Sequence, residues 1–179
     1  MADFPMPVFY SYPPYFTLQP VKETQRKQRE SWKDLILSYC RHHRTFIVSL
    51  DAAADEFPLF ENKAIQRKLS PEARSLLLED LAASGRGRWL GPDRRRLLVL
   101  WRGVGEWADV IHAWARGNGL EDSVVSLEEL LGGEDVRGSE LAGMPRELLS
   151  AALRTLEERG KARVFRGDAN DDTGVKFFA

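Results

Sequence analysis

Two stretches of the sequence, "WKDLILSY" at residues 32–39 and "WADVIHAW" at residues 107–114, decide the fold. In both, apolar side chains stand at positions i, i+3, i+4 and i+7, which is the spacing of one face of an α-helix. Trp32 and Trp107 are 75 residues apart, and the Asp and Ile that follow them agree in the same register. The sequence therefore predicts an internal repeat in which each copy begins with a helix.

The tripeptide "VSL" follows each of these helices, at residues 48–50 and again at residues 125–127. Each occurrence indicates a short strand. The serines, Ser49 and Ser126, are residues that typically cap the N-terminus of a helix. We therefore expect each copy to continue with a short strand and then a second helix.

The last part of each copy predicts a third helix and a hairpin. The stretches at residues 70–85 and 144–160 each have a Pro near the start and a Gly at the end, which is the usual boundary pattern of a helix. Residues 86–102 and 160–179 each contain two short β-prone segments around a turn rich in Gly, Asp or Asn. Such a pattern indicates a β-hairpin.

The predicted order is helix, strand, helix, helix and hairpin, and it occurs twice along the chain. This is the element order of a winged-helix domain repeated in tandem. We therefore predict an α+β, mainly helical chain with two tandem winged-helix domains, residues 22–102 and 103–179, after an extended N-terminal arm at residues 1–21. The alternative is a single α+β domain whose halves resemble each other by chance.

Composition and motifs exclude several classes of protein. With 43% hydrophobic residues in 179, the chain can fill small cores, but its apolar runs are shorter than the ~18 residues of a membrane span. The first residues do not read as a secretory signal, so we expect a cytoplasmic protein. Cys40 is the single cysteine, and no P-loop, nucleophile-elbow or zinc-protease motif occurs. The sequence predicts no enzyme, no cofactor and no metal.

Charge is divided unevenly along the chain. Residues 1–102 carry 17 basic and 12 acidic side chains, whereas residues 103–179 carry 9 and 15. Winged helices often bind DNA through the third helix, but that helix in the first copy is more acidic than basic, so phosphates would be repelled. The arginines at residues 94–96 are the basic exception, and a solvated turn explains them equally well. Nucleic-acid binding therefore stays as the second hypothesis.

The N-terminal stretch "PMPVFYSYPPYFTLQP", residues 5–20, contains five prolines and five aromatic residues. Proline-rich backbone disfavours an α-helix and loses little conformational entropy on binding, while aromatic side chains fill pockets on a partner. We expect this arm to dock a partner. The alternative is that it folds back over the first helix of its own chain.

Five motifs taken in order resemble the vacuolar protein-sorting-associated protein 25 family, the smallest subunit of the ESCRT-II complex. They cover nearly the whole chain, and the ordered set is far more specific than any one of them. They are "YPPYFTLQP" at 12–20, "ETQRKQRESW" at 23–32, "FPLFENKAIQRKL" at 57–69, "LLVLWRGVGEW" at 97–107 and "GVKFF" at 174–178.

The resemblance implies a non-enzymatic adaptor in endosomal sorting of ubiquitinated cargo to multivesicular bodies. It implies two copies per ESCRT-II complex, each docked by its N-terminal segment on one of two larger subunits, and peripheral recruitment to the endosomal membrane without insertion. The second domain would recruit the ESCRT-III subunit that initiates assembly. The docking residues carried over are Pro7, Phe9, Pro13, Pro14, Tyr15 and Phe16.

The acidic second domain suggests how ESCRT-III would be bound. Because opposite charges favour encounter, we expect a basic ESCRT-III helix to approach the third helix and hairpin of this domain. The alternative is that these carboxylates are merely solvated. The candidate residues are Glu147, Glu157, Glu158, Asp168, Asp171 and Asp172.

Overall fold

The computed structural model describes residues 3–167 and 173–179. It divides into two compact units, Met1–Trp101 and Arg102–Ala179, here named unit 1 and unit 2. The division falls one residue before the boundary expected from the repeat. Three of the candidate ESCRT-III residues, Asp168, Asp171 and Asp172, lie outside the described residues.

Unit 1 contains two α-helices, one three-stranded antiparallel sheet of order β1-β5-β4 and a separate β2-β3 ladder. Three single-turn 3-10 helices, Val8–Ser11, Pro13–Phe16 and Pro58–Phe60, complete it. Its elements are α1 Lys22–His43, β1 Ile47–Ser49, β2 Glu61–Asn62, β3 Arg67–Lys68, α2 Pro71–Ala83, β4 Gly87–Leu90 and β5 Arg96–Val99.

Unit 2 repeats the three-stranded sheet, with antiparallel order β6-β8-β7. The second strand of each hairpin lies in the middle of its sheet, between its hairpin partner and the short "VSL" strand. The elements are α3 Val104–Gly117, β6 Val124–Ser126, α4 Leu127–Gly132, a 3-10 turn Glu134–Val136, α5 Arg146–Glu158, β7 Ala162–Arg166 and β8 Thr173–Phe177.

The helix before each hairpin ends in the same way in both units. Gly85 and Gly160 have φ values of +77° and +72°, a left-handed conformation that glycine adopts without steric cost. The amide after each glycine donates to a carbonyl five residues earlier, that of Leu81 at 2.9 Å and that of Leu156 at 2.8 Å. These are Schellman-type helix ends, and they confirm the boundaries that the glycines predicted.

The second helix predicted in each copy is present in unit 2 and wrong for unit 1. In unit 2, the Ser126 hydroxyl accepts a hydrogen bond from the Glu129 amide at 3.1 Å and so caps α4. In unit 1, the described chain between β1 and α2 forms the Pro58–Phe60 turn and the β2-β3 ladder instead. Pro58 disfavours helical geometry at Phe57, which has φ −141° and ψ 89°, so no helix continues into the Pro58–Phe60 turn.

Both units bury their repeated tryptophan completely, so Trp32 and Trp107 lie inside the two cores. Cys40 is fully buried in unit 1, and this burial raises the pKa of its thiol to about 12. The thiol therefore stays protonated and serves as a small apolar side chain.

Candidate partner-docking sites

The N-terminal arm is folded rather than extended as the sequence predicted. Each of its two 3-10 turns has an amide that donates to the carbonyl three residues earlier. Tyr10 donates to Pro7 at 3.1 Å, and Tyr15 donates to Tyr12 at 3.0 Å. Proline fixes φ near −65°, a value that 3-10 geometry shares with extended backbone, so the same prolines permit both conformations. The tertiary contacts of the arm decide between them.

Two aromatic side chains fasten the arm to the core of unit 1. Phe16, only 3% exposed, meets the Trp32 ring edge to face at 5.3 Å between ring centroids. Tyr10 is also buried, lies 6.2 Å from Trp32, and donates its hydroxyl proton to the Leu59 carbonyl at 2.9 Å. Burial raises the pKa of Tyr10 to about 12. These rings belong to the arm and pack as core residues.

A buried glutamine on α1 holds the backbone of the arm. Gln28 donates its side-chain amide protons to the Thr17 carbonyl at 2.7 Å and the Tyr15 carbonyl at 3.0 Å, and its Oε1 accepts from the Gln19 amide at 3.1 Å. The Trp32 indole N–H also donates to the Tyr15 carbonyl, at 2.8 Å. Because the second turn of the arm lacks a sheet partner, these side chains satisfy groups that would otherwise be costly to bury.

A buried asparagine plays the same part for the first turn. Asn62 donates from Nδ2 to the Tyr10 carbonyl at 2.8 Å, and its Oδ1 accepts from the Ala64 amide at 3.1 Å. Among the described residues, Gln28 and Asn62 are the polar side chains classed as buried, and both bind the arm. Sequence analysis missed both of them. The available signal for Gln28 was its position four residues before Trp32, on the apolar face of α1.

The opposite side of the arm is an exposed apolar surface. Val8 is 93% exposed and Tyr12 is 57% exposed, and Pro14 is exposed beside them in sequence. Behind them, the rings of Phe9 and Tyr15 stack at 4.6 Å with an interplanar angle of 29°. Large apolar side chains held outward on a fastened backbone are typical of a docking surface.

The six predicted docking residues differ in how far they are exposed. Pro14 is exposed, while Pro7, Phe9, Pro13 and Tyr15 are half-buried. Phe16 is different, because its ring fills the core of unit 1 beside Trp32. In this chain by itself, Phe16 is therefore an internal anchor of the arm, and its contact with a partner stays a prediction.

In unit 2, the described part of the predicted acidic surface that runs from residue 146 to residue 167 carries more basic than acidic side chains. Glu147, Glu157 and Glu158 are exposed on α5, but the segment 146–167 contains six cations against these three carboxylates. Between α5 and the hairpin lies a groove of about 310 Å³ whose apolar side includes Leu127 and Leu153. Its charged lining residues are Arg146, Arg154, Glu157 and Arg166.

The acidic excess of unit 2 lies in the preceding segment instead. Residues 121–140 contain seven carboxylates and the single cation Arg137. Some are paired, as Glu121 with Arg116 at 2.7 Å and Glu140 with Arg102 at 3.1 Å. Others are exposed without an ion pair among the described residues: Asp122, Glu129, Glu134 and Asp135. The net charge of residues 103–179 as a whole does not show that the acidic excess lies in residues 121–140.

No helix within residues 3–167 and 173–179 is both long and apolar enough to cross a bilayer. Over the same residues, no three His, Cys, Asp or Glu side chains lie close enough together to hold a metal ion.

Comparison of the chain with known proteins gives one consistent result. A family model described as "ESCRT-II complex subunit" matches residues 9–145. The vacuolar protein sorting-associated protein 25 of Arabidopsis thaliana is 46% identical over 99% of this chain and 97% of its own length. Its human and Drosophila melanogaster counterparts are 38% and 36% identical, each over at least 98% of both chains.

Solved structures agree with this relationship. The crystal structure of subunit VPS25 of the endosomal trafficking complex ESCRT-II matches with a TM-score of 0.85 and 27% identity, over 96% of this chain and 98% of that one. A chain of the crystal structure of the endosomal complex ESCRT-II (VPS22/VPS25/VPS36) also matches, with a TM-score of 0.81 and 28% identity over 93% of this chain and 96% of that one. None of these similarities supports the nucleic-acid hypothesis, and the chain belongs to the vacuolar protein-sorting-associated protein 25 family of ESCRT-II complex subunits.

Proposed function

We propose that this chain is a non-enzymatic adaptor of ESCRT-II, present as two copies per complex, each docked through its N-terminal arm on one of the two larger subunits. A related solved structure is a complex of VPS22, VPS25 and VPS36, which supports assembly with two other kinds of subunit. The observation that carries the proposal is the arm itself, whose backbone is fastened to unit 1 while Val8, Tyr12 and Pro14 face outward.

Because the arm is already packed against the core of unit 1, its docking to a partner costs less conformational entropy. A flexible segment loses conformational entropy when it binds, whereas an arm already held by buried hydrogen bonds and aromatic contacts has lost most of it. The exposed side chains, with the half-buried rings of Phe9 and Tyr15 behind them and Pro7 and Pro13 beside them, then act as a rigid apolar projection. Phe16 contributes by holding this projection in place.

Co-expression with the two larger ESCRT-II subunits followed by size-exclusion chromatography tests the proposal. The triple variant Val8→Ser, Tyr12→Ser, Pro14→Ala should elute separately from the larger subunits, since it removes the outward anchors, and its thermal melting should stay unchanged. A matched control, Val124→Ser with Phe165→Ser, removes two exposed apolar side chains from unit 2. Assembly of the triple variant, or loss of assembly by the control alone, would place the docking surface elsewhere.

Unit 2 is the part that recruits ESCRT-III in this proposal. A basic helix would meet the acidic segment 121–140 before the mixed surface around Glu147, Glu157 and Glu158, because the acidic excess lies in that segment. A pull-down of an N-terminal ESCRT-III peptide by the full chain compares two variants of equal charge change. Glu129→Gln with Glu134→Gln should weaken binding more than Glu147→Gln with Glu158→Gln, and the reverse order would return the site to α5.

The proposed place of action is the cytoplasm, with peripheral recruitment to the endosomal membrane for sorting of ubiquitinated cargo to multivesicular bodies. This location is supported by its relatives of known structure, which belong to an endosomal trafficking complex. A fluorescent fusion of the chain should show endosomal puncta that become diffuse when the larger subunits are depleted. Puncta that persist unchanged would show recruitment without them.

A further inference from the structure

The hairpin of unit 1, strands β4 and β5 with their turn, carries a concentration of arginine that docking through the arm does not use. Residues 86–96 contain five arginines and one acidic residue, Asp93. All five side chains are exposed, in a unit whose apolar residues are otherwise largely buried. The arginines are Arg86, Arg88, Arg94, Arg95 and Arg96.

Strand register places two of these cations on one face of the hairpin. Arg88 pairs across the ladder with Leu98, and Leu90 pairs with Arg96, so Arg88 and Arg96 project from the same face of the hairpin. Leu97, on the other face, belongs to the core cluster. Arg94 follows in the turn, where its guanidinium lies 6.0 Å from the centre of the Trp89 ring. Each face of the hairpin thus carries a buried leucine, Leu98 on the side of Arg88 and Arg96 and Leu97 on the other, while the arginine side chains are exposed.

Much of this charge is uncompensated. Arg94 lies 3.5 Å from a carboxylate oxygen of Glu79, and Arg95 pairs with Asp51, but both pairs are exposed and contribute little. Within residues 3–167 and 173–179, no carboxylate forms an ion pair with Arg88 or Arg96. Two outward guanidinium groups on one face are thus available to an anionic partner.

We infer that this hairpin is a contact for an anionic membrane surface, to which it adsorbs without inserting. A flat layer of lipid phosphates and carboxylates can contact the face of the hairpin that carries the exposed Arg88 and Arg96. A DNA duplex bound in the usual winged-helix manner must also meet α2. That helix presents the exposed Glu72, which would repel the phosphates of a duplex. The geometry of the charges therefore favours a membrane over a nucleic acid.

The expected effect follows from general membrane electrostatics. Each arginine close to an anionic bilayer strengthens adsorption by about five-fold, and the attraction falls off within a Debye length. The double variant Arg88→Gln, Arg96→Gln should therefore lower the vesicle partition coefficient of the chain by about 25-fold. Raising the salt concentration should weaken binding of the wild-type chain in the same direction.

Vesicle sedimentation with the isolated full-length chain tests this inference at low salt. Vesicles of phosphatidylcholine with about 30% phosphatidylserine should bind the chain, and vesicles of phosphatidylcholine alone should not. The matched control is Lys27→Gln with Arg41→Gln, which removes the same charge from exposed positions of α1 in the same unit. It should retain binding within about two-fold. Circular dichroism checks that both variants fold.

Three results would overturn the inference. The wild-type chain could fail to bind phosphatidylserine vesicles, or the α1 control could lose as much binding as the hairpin variant, which would reduce the effect to net charge. Binding of a short DNA duplex as tight as that of the vesicles would assign the hairpin to nucleic acid instead. Because the larger ESCRT-II subunits are absent from this experiment, its failure leaves docking through the arm untouched.

Discussion

Units 1 and 2 start from the same helical motif, yet one helix supports an arm and the other does not. Helix α1 has 22 residues and begins ten residues before Trp32, whereas α3 has 14 residues and begins three residues before Trp107. The additional turns of α1 carry Gln28, which binds the arm. A repeat can therefore keep one core while a change in helix length adds a surface to one copy.

The strongest test of this difference is to remove an arm anchor. Phe16→Ala should lower the free energy of unfolding of unit 1 by about 3–5 kcal/mol, because it empties a large buried site beside Trp32. Val8→Ala, in the same arm but exposed, should change it by less than ~0.5 kcal/mol. Urea unfolding followed by tryptophan fluorescence measures both. Equal effects of the two changes would mean that the arm is detached in solution.

Removal of the buried amide should have the next largest effect. Gln28→Ala removes the hydrogen bonds to the Thr17 and Tyr15 carbonyls and leaves the Gln19 amide without its side-chain acceptor, at a cost of about 1–3 kcal/mol in the free energy of unfolding. Lys27→Ala is the exposed neighbour on the same helix and should be nearly neutral. Amide hydrogen exchange at Gln19 should accelerate in the Gln28 variant alone. Unchanged exchange there would show that the amide is not holding the arm.

Alkaline pH should weaken the arm as well. The pKa of Tyr10 is raised by burial to about 12 in the folded chain, against about 10 when unfolded. Its contribution to stability is therefore fully present below pH ~10 and is lost as the pH rises toward 12, because only the unfolded state then ionises readily. Cys40, with a pKa also raised to about 12, acts in the same direction.

Tyr10→Phe separates these two contributions. This variant should retain part of the alkaline destabilisation, that of Cys40, and lose the part due to the phenol. Tyrosinate absorbance during a pH titration gives the direct measurement, since Tyr10 should ionise only near pH 12 in the folded chain. If Tyr10 ionises near pH ~10 while the chain is still folded, the first turn of the arm is not packed as described.

The smallest expected effect compares two ion pairs that join corresponding helices. In unit 1, Arg29 of α1 forms two hydrogen bonds to Asp80 of α2, at 2.8 and 2.6 Å, and in unit 2 Arg159 reaches Asp109 of α3 at 2.8 Å. The first pair is half-buried and the second exposed. Arg29→Met should lower the free energy of unfolding by about 1 kcal/mol, and Arg159→Met by less than ~0.5 kcal/mol. Thermal melting of both variants at low and high salt measures these losses. Equal losses would mean that the half-buried pair stabilises the chain no more than the exposed one.

The general architecture was predictable because it depends on local patterns. Apolar spacing around Trp32 and Trp107 marked the repeated helix, and Gly85 and Gly160 marked two helix ends, since few other residues accept a left-handed conformation. The helix cap at Ser126 was likewise predictable from the sequence. The same pattern was wrong after Ser49, where the described chain forms turns and the short β2-β3 ladder instead of a helix.

The sequence alone determined that this chain is a tandem repeat with an aromatic, proline-rich arm, because periodicity and turn residues act over a few neighbours. Only the tertiary structure decided which side of that arm faces the core. Phe16 points inward and Val8 outward because Trp32, Gln28 and the Leu59 carbonyl meet the arm from distant parts of the chain. Burial is a property of such long-range contacts, so no local pattern encodes it.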